Sequence, residues 1–217
     1  MTVPSWLQVL AIIYPPLSVA AAILVCVDIF VLGRRQHMAV MEVVWPLTLL
    51  YFGPIGLVPY YWFGRNQRHG QVPKWQATFK GAAHCGAGCA LGDFIGDWTS
   101  FVTGFTVFGS KLAGKYVLAF VLAYVIGIFF QYFAIAPMRG LDLRRGLVAA
   151  AKADTASLLA YEIGMFTWMG VSAYLFTDLA PTRWSYWLMM QVAMLLGFAT
   201  TYPVNWWLVA HGIKESM

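Results

Sequence analysis

Long apolar blocks alternate with short polar, mostly basic stretches along the chain. Each block is close to or above the roughly 20 residues a helix needs to cross about 30 Å of hydrocarbon at 1.5 Å per residue. The pattern predicts six spans, at about 6–32, 41–63, 79–108, 116–137, 154–177 and 185–210, joined by loops of only about 6 to 16 residues. Loops that short leave no room for an extramembrane domain. The expected fold is therefore all-α, a polytopic transmembrane helical bundle of about six spans. Residues 1–75 would supply two N-terminal helices and residues 76–217 a four-helix unit. The first block lacks a basic leader and far exceeds the ~7–15 residues of a signal-peptide core, so it is expected to remain as a span.

Composition supports this reading. Hydrophobic residues make up 60% and charged residues 11% of the chain, where a soluble domain carries roughly 25% charged residues. The lipid bilayer is the expected partner. The formal charge of +5 does not point to nucleic acid, because the basic residues are scattered over short segments without a dense tract or interleaved aromatics. They read as loop charges. Strict alternation puts Arg65, Arg68, Lys74, Lys80, Arg139, Arg144, Arg145, Lys152 and Lys214 on one side, and Arg34, Arg35, Lys111, Lys115 and Arg183 on the other. That count favours cytoplasmic termini, although Arg34 and Arg35 after the first span pull the other way. Three cysteines, Cys26, Cys85 and Cys89, are too few for a disulfide framework and show no C-x-x-C spacing.

Within the second span, Pro46, Pro54 and Pro59 accompany Gly53 and Gly56. A kink or partial unwinding is expected over Tyr51 to Tyr60, which lipid tolerates only where neighbours or a cavity satisfy the freed backbone groups.

The stretch most suggestive of chemistry is His84-Cys85-Gly86-Ala87-Gly88-Cys89-Ala90-Leu91-Gly92-Asp93, followed by Asp97, in the third span. Residues four apart lie one above another on a helix, so Cys85, Cys89, Asp93 and Asp97 form one stripe. Gly81, Gly88, Gly92 and Gly96 fall on the adjoining angle, as a seam that lets helices approach closely in lipid. In the fifth span, Asp154, Glu162, Met165, Met169 and Ser172 share one arc. Every Lys and Arg falls in a loop or near a span end, so the mid-span carboxylates are expected to lack a fixed cation. They would then be protonated, hydrogen-bonded, or holding a cation.

Thiolates suit Cu(I) and Zn²⁺, imidazole suits zinc and copper, and thioethers suit Cu(I). The candidate metal residues are Cys85, Cys89, Asp93, His84, Asp97, Glu162, Met165 and Met169, with copper or zinc as the ion. His84 points about 100° from Cys85. The same residues have plainer uses, since cysteine buries well as a small hydrophobe and a methionine stripe fills a core. Gln191, Met194, Thr201 and Asn205 on the sixth span, with Tyr202 beside them, and Tyr124 and Gln131 on the fourth read as interhelical hydrogen-bonding or packing residues.

The segments H-C-G-A-G-C-A-L-G-D at 84–93, P-V-N-W-W-L-V at 203–209 and G-I-K-E-S-M at 212–217 resemble a bacterial multi-pass membrane-protein family known as a domain of unknown function. The likeness runs from about Phe79 to the C-terminus. It implies a bacterial origin, hence the cytoplasmic (inner) membrane, and a four-helix unit, but no activity. The functional expectation is binding, and transport or delivery, of a soft metal cation between the third and fifth helices. A membrane-embedded thiol or redox enzyme, or a non-catalytic subunit or assembly factor of a larger membrane complex, are the alternatives. Whether the protein is an enzyme is left open by the residues, as is a homo-oligomer or a membrane-complex partner.

Overall fold

The computed structural model describes residues 2–65 and 72–214. Arg68, and Glu215, Ser216 and Met217 of the C-terminal motif, lie outside the described residues. The described residues form no β-strand and make six helical rods. These are α1 Ser5–Val31, α2 Met41–Gly64, α3 Lys74–Thr103, α4 Lys111–Arg139, α5 Leu143–Leu175 and α6 Trp184–Ala210. Four of them, α1, α2, α4 over Lys111–Pro137, and α6, are long and apolar enough to cross a bilayer. At 30 and 33 residues, α3 and α5 have the length but are less apolar.

The position of α3 explains why it can be less apolar. All ten residues from Gly81 to Ala90 are buried, and the helix packs against α2, α4, α5 and α6. Over that enclosed stretch α3 needs no lipid-facing apolar side, whereas further along Phe94, Ile95, Phe101 and Val102 are exposed.

The α3–α4 contact follows from small residues on both partners. A Cβ at Gly92 would lie 2.4 Å from the Ala123 Cα, one at Gly96 2.8 Å from the Ala119 Cα, and one at Gly88 3.0 Å from the Gly127 Cα. Ala119, Ala123 and Gly127 themselves recur every four residues, so two small-residue stripes meet backbone to backbone. The opposite face of α4 carries Val117, Val121, Val125, Phe129 and Phe133, all exposed. A bulky apolar stripe turned outward at the same four-residue spacing is compatible with a bilayer.

The expected break in α2 is present. The helix runs to Phe52, tightens into a 3₁₀ turn at Gly53–Gly56 and ends in a π turn at Tyr60–Gly64. Pro54 has no N–H for the Leu50 carbonyl four residues earlier. Gln191 Nε2 from α6 donates to that carbonyl at 2.6 Å and to Ser18 Oγ at 2.9 Å. Tyr14 of α1 donates to Phe52 O at 2.9 Å. Its ring lies 2.7 Å from where a Cβ at Gly53 would sit, and Gly53 has φ +64°, so glycine is required there. The break is held by neighbouring helices through these bonds. The ends of α1 and α2 are tied at Asp28, which accepts from Tyr60 OH at 2.8 Å and pairs with Arg65 at 2.9 Å.

Candidate functional site

All eight residues named from the sequence are buried. Cys85, Cys89 and His84 are fully enclosed, and Asp93, Asp97, Glu162, Met165 and Met169 nearly so. They do not form one cluster. Among the described residues, no three of the His, Cys, Asp and Glu side chains come together as a group fit to hold a metal ion.

The stripe on α3 divides along its length. Cys89 stands beside both Cys85 and the Glu162 carboxyl of α5, without an aligned hydrogen bond to the latter. Asp93, one turn further on, is within electrostatic reach of Glu162. Two tyrosines that the sequence did not single out as site residues close the site. The hydroxyls of Tyr51 from α2 and Tyr161 from α5 lie 2.6 and 3.0 Å from the position a Cβ at Gly86 would take. Gly86 therefore makes room for both rings, and Gly197 of α6 receives the other side of Tyr161. The local signals for these rings were that Tyr161 immediately precedes Glu162 and that Tyr51 stands at the start of the stretch expected to kink, two residues before the break at Gly53.

His84 belongs elsewhere. It is four residues before Gly88 and so heads the glycine seam, facing α4, where its ring packs edge-on to Phe130 at 6.1 Å. Lys214 and Asp154 are its electrostatic neighbours. Neither ring nitrogen has an aligned hydrogen bond, although the Phe130 backbone lies close by.

The expectation that no fixed cation reaches the mid-span carboxylates Asp93, Asp97 and Glu162 is wrong for Asp97, and a further buried acid, Asp154, is paired as well. Asp97 accepts from the Tyr186 hydroxyl and lies 3.4 Å from Lys115 Nζ, which also donates to that hydroxyl. Asp154 pairs with Lys214 at 3.2 Å, both side chains being sealed from solvent. Lys214 Nζ also donates to Ser157 Oγ. The reason is reach: a lysine's four-carbon stem carries its charge well away from its own backbone. Lys115 starts in the first turns of α4, beside the last turns of α3. After α6 the chain reverses at Gly212, with φ +66°, and the backbone N–H groups of Ile213 and Lys214 donate to Leu208 O, aiming Lys214 back into the bundle.

Asp93 and Glu162 are the exceptions. All four of their carboxylate oxygens are buried without a hydrogen-bond partner, and neither residue has an ion pair among the described residues. The interior thus has an ion-paired carboxylate near either end, Asp97 and Asp154, and beside Cys89 two carboxylates without an ion pair, of which Asp93 has Lys115 within electrostatic reach.

The polar residues on α4, α5 and α6 mostly join helices. Thr201 donates to Ser157 O at 2.6 Å, Asn205 donates to Thr201 within its own helix, and Tyr124 bonds Thr155 at 3.1 Å. Gln131, fully buried, has no partner for either amide atom.

A family model described as a domain of unknown function, DUF4396, matches residues 74–214. The chain belongs to this family. No curated protein matches the chain, and no solved structure does. The DUF4396 segment contains α3 to α6 and Lys214, and with them both cysteines, Asp93, Asp97 and Glu162. Tyr51 and the α2 break come from the residues before it.

Proposed function

We propose that this DUF4396 protein is a six-span protein of a bacterial cytoplasmic membrane that binds a soft metal cation at Cys85, Cys89, Asp93 and Glu162 and carries it between the two sides. The crossing of α3 and α5 is inferred from their length and from the enclosure of α3 by the more apolar helices. Bacterial origin rests on the motif resemblance.

The observation that carries the reading is the contrast among buried acids. Asp97 and Asp154 each have a lysine in ion-pair contact, whereas Asp93 and Glu162 have no ion pair and no aligned hydrogen bond, Lys115 acting on Asp93 only from beyond contact. An ionised carboxylate in a low-dielectric interior is strongly unfavourable without a partner. The pair therefore holds protons or a cation, and exchange of one for the other is the chemistry it suits. The thiols of Cys85 and Cys89 bias the choice toward a soft ion. Met165 and Met169 follow Glu162 on the same buried face of α5, and thioethers favour Cu(I). Copper fits better than zinc, since structural zinc asks for four ligands in a tetrahedron and these donors are not assembled in that way. Thiolate binding displaces protons, so uptake should release acid.

The test is elemental analysis of the purified full-length protein after copper or zinc loading, comparing wild type with Cys85→Ser/Cys89→Ser and with Asp93→Asn/Glu162→Gln. The reading expects near-stoichiometric metal in the wild type, loss in both double variants, and copper uptake into proteoliposomes by the wild type alone. Unchanged metal content in both variants defeats it.

A further inference from the structure

A second candidate site lies outside the core, where α4 passes into α5. A cleft of about 730 Å³ there is lined by Arg139, Arg144, Arg145 and Lys152, with Val148 and Ile213 also in its wall. Arg144, Val148 and Lys152 recur every four residues, with Arg145 and the cleft-lining Ala149 beside them. One face of the first three turns of α5 thus presents cation, apolar side chain, cation in sequence. The acidic residue among those lining the cleft, Asp142, is engaged as the N-cap of α5, its carboxylate accepting from Arg145 N at 3.0 Å. The three exposed cations of α5, Arg144, Arg145 and Lys152, outnumber Asp142, so the cleft carries a net positive field over an apolar wall.

Its level relative to the lipid is set by α4. That helix is apolar through its last turns and ends at Arg139, so with α4 crossing the bilayer Arg139 stands at the headgroup end of the span. Guanidinium groups bind phosphate oxygens through paired hydrogen bonds, and recessed basic clefts at this level suit the anionic headgroups of the cytoplasmic leaflet. A soluble phosphate compound would use the cations but not Val148 and Ile213.

We infer that this cleft binds the phosphate of an anionic phospholipid headgroup. The inference is independent of the metal reading, since none of its residues belongs to the core. The experiment is native mass spectrometry of the full-length protein in detergent carrying phosphatidylglycerol and phosphatidylcholine in equal amounts. Arg144→Gln/Arg145→Gln/Lys152→Gln is the variant, chosen because all three side chains are exposed and their loss leaves the core intact. The wild type should retain phosphatidylglycerol preferentially, and each charge removed should weaken that preference about fivefold. Equal retention of the two lipids by the wild type, or an undiminished preference in the variant, overturns the inference. Displacement of the lipid by millimolar inorganic phosphate at matched ionic strength overturns it too, by assigning the cleft to a soluble anion.

Discussion

The Lys214 ammonium lies 3.2 Å from the Asp154 carboxylate, with both side chains closed off from solvent. Breaking a buried pair from one side leaves a charge without compensation, at a cost of about 3–5 kcal/mol. Lys214→Met should therefore lower the thermal unfolding temperature in detergent markedly, and adding Asp154→Leu should recover most of the loss. A double variant no more stable than the single one would show that Lys214 acts through something other than this pair.

Glycine at position 92 is set by the fourth helix. A Cβ there would lie 2.4 Å from the Ala123 Cα, whereas at Gly88 the nearest backbone atom is at 3.0 Å. Gly92→Ala must push α3 and α4 apart and should cost about 1–3 kcal/mol, in the range of other overpacking changes. Gly88→Ala should cost less. Thermal unfolding of the two variants side by side gives the ranking, and equal effects would argue that the seam is not tightest at Gly92.

Asp93 and Asp97 are one helical turn apart and should respond oppositely to neutralisation. Asp97→Asn weakens an ion pair to Lys115 and the hydrogen bond from Tyr186, and should destabilise the protein by about 1–3 kcal/mol. Asp93→Asn and Glu162→Gln remove carboxylates that have no partner, so folding stability should hold or rise while cation binding falls. Unfolding temperature and metal content, measured on the same preparations, separate the two outcomes.

Gln191 satisfies a carbonyl that Pro54 cannot. Gln191→Leu would leave Leu50 O without a donor in a span read as lying in lipid, with an expected cost of about 1–3 kcal/mol. Pairing it with Pro54→Ala, which restores an N–H at that position, should reduce the penalty. A penalty unchanged in the paired variant would place the role of Gln191 in its bond to Ser18 instead.

Which candidate residues share a helix face was legible in the sequence because helical periodicity is local. Four-residue spacing put Cys85, Cys89, Asp93 and Asp97 on one line and a glycine seam beside it. The same rule, extended by one turn, puts His84 on the seam, where its ring faces Phe130. Tyr51 and Tyr161 carried almost no signal, since a tyrosine in an apolar block looks the same whether it faces lipid or a carboxylate. What brings them to the site is the absence of a side chain at Gly86, a fact about three helices at once.

By itself the sequence determined the helical character of the chain, the break in α2, and the spacing that makes one face of α3 polar and another bare. All of these depend on residues within a turn or two of one another. Only the tertiary structure decided which acids are neutralised. Whether a lysine at a helix end meets a carboxylate on another helix depends on how the helices are placed and on where Gly212 turns the chain, and residues 60 positions apart, such as Asp154 and Lys214, have no periodicity to link them. That placement leaves Asp93 and Glu162, in the described interior, without a lysine in contact.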